Sequence, residues 1–324
     1  MTKIDLITGI LGSGKTTFII KYVKYLLSCG KRVAILENDF GAVNVDALLL
    51  NELKCDNCLI EMVTGGGDPD CHKRRFKTQL IALGMQNFDR VIIEPSGIFD
   101  MDEFFDTLYE PPLDNWFEIG NVLSIVDAEL DDKLSDQMEY LLGSEISCCG
   151  KLVLSKTGAV KDVSKTAERV IAHINRAMEY IKCRRRFSVN DMLCKDWEKL
   201  DESDFSALVS AGYDNESYVK LFSGEDIKSM THYFMNIRMK EAVIEKTVRD
   251  IMNDSECGHI YRIKGFTKDD NENWLKINAV GDKIEIAPIQ KGQSVFIVIG
   301  DDIVRENIDR HFKEVNSDSE YVSI

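Results

Sequence analysis

The most constraining stretch of this chain lies near its start, where Ile4-Asp5-Leu6-Ile7-Thr8 runs into Gly9-Ile10-Leu11-Gly12-Ser13-Gly14-Lys15-Thr16-Thr17. The pattern Gly9-x4-Gly14-Lys15-Thr16 is that of a phosphate-binding loop, which needs a strand before it and a helix after it. Glycines let successive backbone N–H groups converge on phosphate oxygens, and the helix presents its positive end to the same charge. A lysine at position 15 reaches β- and γ-phosphates, and the Thr16 hydroxyl can hold Mg²⁺. Apolar Leu6-Ile7 supplies the strand, and the amphipathic run Phe18-Ile19-Ile20-Lys21-Tyr22-Val23 supplies the helix. Gly9, Gly12, Ser13, Gly14, Lys15, Thr16 and Thr17 are therefore the candidate phosphate-binding residues, and the expected ligand is a nucleoside triphosphate with Mg²⁺.

A chain of 324 residues, 44% hydrophobic, can bury a full core and predicts two domains. The formal net charge of −15 argues against nucleic acid or an anionic membrane as partner. Gly9, Gly12, Gly14 and Lys15 interrupt the first apolar stretch, so it does not read as a signal peptide, and no run approaches the roughly 18 apolar residues of a bilayer span. The nine cysteines, an odd number without a framework spacing, read as reduced thiols and predict a cytoplasmic protein.

The first half alternates strand-like apolar runs (3–8, 32–37, 90–94, 120–127 and 151–155) with amphipathic helices (15–27, 73–84 and 101–108). That pattern predicts an α/β domain with a mostly parallel sheet. From about 182 to 225 the pattern weakens, which reads as the end of this domain plus a connector. The last hundred residues predict a smaller α+β domain with a largely antiparallel sheet of four or five strands. Strands are expected over 231–239, 258–266, 274–280, 283–286 and 294–299, and helices over 241–252 and 303–312. Gly281-Asp282 is a hairpin dipeptide, and the polar tail 314–324 reads as frayed. The expected domains are 1–222 and 223–324.

A second constellation is Arg90-Val91-Ile92-Ile93-Glu94-Pro95-Ser96-Gly97, an apolar strand that ends in an acid and then Ser-Gly. Beside a phosphate loop, Glu94 can hold Mg²⁺ directly or through water, and Gly97 can lend its N–H to the γ-phosphate. Lys15, Thr16 and Glu94 are the candidate catalytic residues. Between the two motifs, Leu36-Glu37-Asn38-Asp39-Phe40-Gly41 ends in clustered acids, which makes Asp39 a candidate metal or switch residue; an ordinary polar loop with Asp46 as helix cap reads equally well from spacing. Phe104, Phe105 and Leu108 read as core, Cys148-Cys149 as buried packing, and Arg184-Arg185-Arg186 as a solvated cluster. Cys55-x2-Cys58 is too short a ligand set to make a metal site by itself, but it could complete one with Cys71.

Gly-x4-Gly-Lys-Thr-Thr, Glu37-Asn38-Asp39-Phe40-Gly41-x4-Asp46 and Glu94-Pro95-Ser96-Gly97, in this order, resemble the CobW family. Ile260-Tyr261-Arg262-Ile263-Lys264-Gly265-Phe266 and Val295-Phe296-Ile297-Val298-Ile299-Gly300 look like that family's C-terminal domain. The resemblance covers nearly the whole chain. It implies a P-loop GTPase domain, a smaller α+β domain, and GTP-dependent metal trafficking or metal-cofactor insertion into a client metalloenzyme.

The chain departs from the family pattern in three places. Where the family carries Cys-x-Cys-Cys, this sequence reads Gly65-Gly66-Gly67-Asp68-Pro69-Asp70-Cys71-His72. One register puts Asp68, Asp70 and Cys71 on the metal-binding positions; a shift by one puts Gly67, Pro69 and Asp70 there. The first keeps a glycine in front and a cysteine at the end, a mixed set for Zn²⁺, Co²⁺ or Ni²⁺. The guanine-reading Asn-Lys-x-Asp is here Ser155-Lys156-Thr157-Gly158, so Lys156 can lie along a base but Gly158 offers it no carboxylate. Loss of that pair costs about 1.5–3 kcal/mol, which leaves ATP open beside GTP. Ala42 stands where the family often has an acid. Two functions follow from the resemblance: a metallochaperone GTPase that binds metal at Cys71, or an NTP-driven activator of a metal- or corrinoid-dependent enzyme that carries no metal itself.

Overall fold

The computed structural model describes residues 1–10, 12–39, 50–64, 69–95, 101–222, 230–269, 271–289 and 292–323, with the backbone alone for 38, 39, 51, 64, 69–72, 102 and 103. These residues fall into two compact units, one up to residue 222 and one from residue 230.

In the first unit, strands Thr2–Thr8 (β1), Val33–Asp39 (β2), Cys58–Thr64 (β3), Arg90–Pro95 (β4), Phe117–Asp127 (β5), Lys151–Ser155 (β6) and Met192–Leu193 (β7) form one sheet. All described pairings in it are parallel, in the order β3-β2-β4-β1-β5-β6-β7. Helices Lys15–Ser28 (α1), Pro69–Gly84 (α2), Met101–Leu108 (α3), Leu113–Trp116 (α4), Asp136–Ser147 (α5), Val163–Tyr180 (α6) and Glu202–Val209 (α7) connect and cover the strands. A parallel sheet covered on both faces needs strands that are apolar throughout. β4 meets this with every residue buried. α1 turns Phe18, Ile19, Tyr22, Val23 and Leu26 inward, the spacing of one helical face, onto Ile7, Ile35 and Ile92.

The α/β class and the positions of β1, β2, β4, β5 and β6 agree with the sequence reading. β3 was not expected: it lies at the sheet edge, where Met62 is exposed, and it lacks the β-branched run that marks inner strands. The segment after 182 is also more than a connector. It supplies β7 and α7, whose Phe205 and Leu208 join the core beside α1. Its helix begins with Asp201 accepting from Ser203 N and Asp204 N at 2.9 and 3.2 Å, while Asp204 accepts from Asp201 N at 3.0 Å, a reciprocal cap. The reason it was hard to read is that its buried residues come from short turns, with no sustained period. α2 starts at Pro69, four residues before its expected start, because proline suits the first helical position.

The central strands are pinned by a buried polar network. Asp5 of β1 is fully buried and accepts from Arg90 Nη1 of β4 at 2.5 and 2.6 Å, from Tyr22 Oη of α1 at 2.9 Å, and from Asn121 Nδ2 of β5 at 2.8 Å. Arg90 Nη2 and Asn121 Nδ2 also donate to Val209 O, at the end of α7. Burial pushes the Asp5 carboxyl up, and the Arg90 charge and these hydrogen bonds oppose that. The β1–β5 pairing shifts register between Ile4 and Asp5, with Gly120 as the extra residue. A Cβ on Gly120 would lie 2.6 Å from Asp5 Oδ1, so the bulge leaves room for the carboxylate only with glycine there.

The second unit holds strands Thr231–Met235 (β8), His259–Lys268 (β9), Trp274–Val280 (β10), Lys283–Ile289 (β11), Val295–Asp301 (β12) and Val322–Ser323 (β13), in the order β11-β10-β9-β12-β8-β13. Its described pairings are antiparallel. Helices Glu241–Asn253 (α8) and Arg305–Val315 (α9) bury Ile244, Val248, Ile251, Ile308 and Phe312 against Phe234, Ile277 and Phe296. The α+β class agrees with expectation, and Val280 pairs with Lys283 across Gly281-Asp282 as the hairpin reading requires. The sheet has six strands where four or five were expected. The difference is the tail: Val322 and Ser323 pair with Met235 and Phe234, and Ser323 Oγ donates to Asp309 at 3.1 Å, so the tail is not frayed there. No helix among the described residues is long and apolar enough to cross a membrane.

Removing one partner of a buried ion pair leaves the other charge uncompensated. Arg90→Met is expected to cost roughly 3–5 kcal/mol, and Tyr22→Phe about 1.5–3 kcal/mol. Urea unfolding of the two variants beside the parent chain checks both, and equal costs would show that Arg90 carries no special burden.

Candidate nucleotide site

β1 lies between β4 and β5, while β2 follows it in sequence but sits beyond β4. The chain therefore changes direction across the sheet at β1, and in open α/β sheets the crevice at such a switch lies at the carboxyl ends of the strands. The phosphate-loop motif occupies that end. Gly9, Gly12 and Gly14 have φ of 134°, 87° and 103°, values that favour glycine. At Gly9 space is decisive too, because a Cβ would fall 2.3 Å from Ile125 O.

Gly14 is the residue before α1 and caps it without a side chain. The helix opens with Lys15, Thr16 and Thr17, and no acid stands in its first turn, so its positive end is left for an external anion. Ser13, Lys15 and Thr16 are buried and Thr17 is exposed. Lys15 Nζ folds back onto Gly9 O at 2.6 Å, spanning the loop it belongs to. Thr16 Oγ1 donates to Glu94 Oε1 at 3.1 Å, joining the helix to the end of β4. The candidate catalytic residues Lys15, Thr16 and Glu94 are thus brought together. Glu37 of β2 is paired in register with Glu94 and is also buried. A hydroxyl and two carboxylates at adjacent strand ends form an all-oxygen donor set, which fits a hard cation such as Mg²⁺.

The other expected residues divide. Lys156 follows β6 in a left-handed conformation (φ 53°) and pairs with Asp127 at the end of β5. A Cβ on Gly158 would meet nothing within 4 Å, so this position is open. Asp39 ends β2 by its backbone, opposite Thr64, but its side chain lies outside the described residues. So do the side chains of Asp70, Cys71 and His72, whose backbone forms the first turn of α2, and Gly97 and Asp68 altogether. Cys55 and Cys58 close a tight turn, Cys58 N donating to Cys55 O at 3.0 Å. Burial pushes the Cys58 thiol up to about 11. Cys148 and Cys149 are buried as packing residues, as are Phe104, Phe105 and Leu108. Arg185 is more engaged than a solvated cluster implies: it pairs with Asp214 at 2.7 Å and lies over the Phe187 ring. A cavity of about 820 Å³ lined by Thr2, Lys3, Asn87 and Trp116 adjoins the opposite, amino end of β1 and takes no part in this site.

Two groups were missed from sequence. Trp197 packs on Phe18 at 5.5 Å, donates to Leu154 O at 3.0 Å, and its ring edge stands 3.3 Å from where a Gly14 Cβ would be. Glu145 of α5 is the second. Its Oε2 accepts from Gly9 N at 2.8 Å, and its backbone oxygen accepts from Thr8 Oγ1 at 2.8 Å and Ser124 Oγ at 3.1 Å. Oε1 is buried without a hydrogen bond among the described residues. Nothing in a lone Leu-Gly-Ser-Glu-Ile helix segment marks this acid, because its placement is set by contacts with β1 over a hundred residues away.

Burial pushes the Glu145 carboxyl up to about 7, against the pull of the Lys15 charge and the Gly9 N–H. The sign of the consequence is fixed by linkage. From its ordinary 4.5 up to about 7, the folded chain holds a proton that the unfolded chain has released. The stability it contributes is full below about 4.5 and falls as pH rises to about 7, by roughly 3 kcal/mol in all. Glu145→Gln keeps an acceptor for Gly9 N–H without a titrating charge, so the variant should gain stability over the parent as pH rises from 5 to 8. Urea unfolding across that range measures it; a constant difference between the two would refute the assignment.

Comparison with known proteins agrees with this geometry. Residues 3–182 match the family model described as the CobW/HypB/UreG nucleotide-binding domain, and residues 235–316 match that of the cobalamin synthesis protein cobW C-terminal domain. The chain is similar to the zinc chaperone YjiA of Escherichia coli (strain K12), 28% identical over 181 residues, which are 53% of this chain and 54% of that protein. It is 33% identical to the zinc chaperone YeiR of the same organism over 143 residues, 43% of this chain and 42% of that protein. A third relative is zinc-regulated GTPase metalloprotein activator 1 of Dictyostelium discoideum, 27% identical over 212 residues, 53% of this chain and 43% of that protein. The chain spans about half the length of the curated relatives it matches. The nucleotide-binding model alone covers more than half of the chain, and the chain belongs to the CobW/HypB/UreG family.

Proposed function

We propose that this protein is a P-loop GTPase that couples slow nucleotide hydrolysis to the delivery of a transition metal, or a metal cofactor, to a client metalloenzyme. The GTPase domain spans 1–222 and the CobW-like C-terminal domain 223–324. The observation that carries the reading is the meeting of Lys15, Thr16 and Glu94 at the uncapped start of α1. Lys15 exchanges Gly9 O for the β- and γ-phosphate oxygens, and the N–H groups from Gly12 to Thr17 cradle the phosphates. Thr16 and Glu94 would hold Mg²⁺, which when bound neutralises charge on the phosphates. Rate then comes from positioning and electrostatics, and a slow intrinsic turnover stimulated by the client is expected. The free thiols among the described cysteines suit a reducing cytoplasm.

Lys156 would lie along the base, and the open space at Gly158 supports a base edge without its carboxylate partner. GTP is the proposed substrate and ATP the alternative. The cargo is proposed to be Zn²⁺, Co²⁺ or Ni²⁺, held through Asp68, Asp70 and Cys71, with Asp39 near the nucleotide. The second reading, an activator that carries no metal, is favoured by one observation: carboxylates occupy two positions where the family has thiolates.

Lys15→Ala should weaken nucleotide binding by about 10- to 100-fold, from the loss of charge-assisted hydrogen bonds. Gly158→Asp should raise the preference for GTP over ATP by a similar factor, read by competition of the two nucleotides for the parent and the variant. An unchanged ratio would mean that the base is not read at this position.

Equilibrium dialysis of Zn²⁺, Co²⁺ and Ni²⁺ against anaerobic protein, with GTP·Mg²⁺, GDP·Mg²⁺ or neither, separates the two readings. A carrier shows one equivalent whose affinity changes with the nucleotide and which is lost in Cys71→Ala. Absence of any nucleotide-sensitive metal binding leaves the activator, whose client capture is then indifferent to Cys71.

A further inference from the structure

Three side chains of the second unit converge on one another. Asp254 follows α8 and caps the short turn Ser255–Cys257, and His311 stands on α9. One carboxylate oxygen of Asp254, Cys257 Sγ and a ring nitrogen of His311 lie within 4.8 Å of one another. His311 Nε2 is 2.8 Å from Asp254 Oδ2. The other carboxylate oxygen, Oδ1, accepts from Glu256 N at 2.9 Å, which orients Asp254 and leaves Oδ2 turned to the cluster.

The three groups are held before any ligand arrives. Val304 N donates to Cys257 O at 3.1 Å and Asn307 Nδ2 to Glu256 O, tying the turn to the start of α9. Ile308 and Phe312, on either side of His311, are buried in the core, which fixes the helix. Cys257 is fully buried, while Asp254 and His311 are half-buried, so the cluster is walled on the sulfur side and open on the other.

We propose that Asp254, Cys257 and His311 form a second transition-metal site, of the Zn²⁺ or Co²⁺ class, with its fourth position open. One sulfur, one nitrogen and one oxygen suit a borderline cation, whereas Mg²⁺ and Ca²⁺ take oxygen sets. As thiolate, neutral imidazole and carboxylate, the ligands carry two negative charges, which balance a divalent ion. Bonds of about 2.0–2.3 Å place such atoms roughly 3.3–3.8 Å apart, against 2.8 Å for the Asp254–His311 pair and at most 4.8 Å across the set. The Asp254 carboxyl is held below its usual range by His311 first, and the Cys257 thiol also donates to it. Binding displaces the thiol proton to solvent, with sulfur and nitrogen bonding the ion. Three protein ligands and an open fourth position favour exchange of the ion over permanent retention, as is needed for a site that receives metal or hands it on.

Anaerobic titration of the full-length Cys71→Ala protein with Co²⁺ tests this, because thiolate-to-cobalt charge transfer and the d–d bands report sulfur ligation and tetrahedral geometry. One equivalent is expected to give both signals, to be displaced by Zn²⁺, and to lose both signals in Cys257→Ala. Since Cys257 is buried, His311→Gln on the half-exposed ring is the second variant, with a cobalt affinity at least tenfold lower and an unchanged far-ultraviolet dichroism. Absence of the charge-transfer band in Cys71→Ala overturns the site, as does a band that persists unchanged in both variants. Nucleotide sensitivity is not required here, so failure of this site and failure of the Cys71 carrier are read separately.

Discussion

The arrangement rests on one buried ion pair. Asp5 and Arg90 sit on adjacent central strands, and the hydrogen bonds from Tyr22 and Asn121 bring in α1 and β5. Such a pair gains little net stability over apolar packing, because both charges must be stripped of water. What it supplies is register. A slip by one residue would move the Asp5 carboxylate to the other face and strand Arg90 without its partner. Since β1 carries the glycine loop and β4 carries Glu94, the same constraint that aligns these strands sets the separation of Thr16 and Glu94 at their far ends.

Charge is distributed unevenly around the loop. In front, the first turn of α1 carries Lys15 and no acid; behind, Glu145 touches Gly9 N–H from inside the core. A carboxylate there attracts Lys15 toward the loop, whereas a protonated carboxyl does not. Lys15 thus rests on Gly9 O, and an arriving polyphosphate competes with that oxygen for it.

How much of this was legible depends on how local the cause was. The phosphate loop, the hairpin at Gly281-Asp282 and helices such as Met101–Leu108 are set by residues a few positions apart, and they could be read directly. β3 could not, because an edge strand is stabilised by a neighbour on one side only and its sequence is only weakly patterned. The 192–211 segment hid its role because Trp197, Phe205 and Leu208 share no single helical or strand period, yet they pack on α1. Glu145 was invisible for the same reason in sharper form: an acid inside a helix reads as surface until the residues around it are known. The mixed cluster of Asp254, Cys257 and His311 joins positions over fifty residues apart, and only the Asp-x2-Cys half of it is written locally.

The position of Trp197 gives the molecule an optical property. The chain has three tryptophans. Trp116 is in the helix beside Gly84 and Trp274 opens a strand of the second unit. Trp197 reaches the glycine loop, with its indole against Phe18 and at the edge of Gly14. Any movement of the loop around an incoming phosphate changes the surroundings of that one ring. Intrinsic fluorescence therefore offers a label-free signal from the start of α1, and with Trp116 and Trp274 exchanged for phenylalanine the emission would come from the nucleotide motif alone.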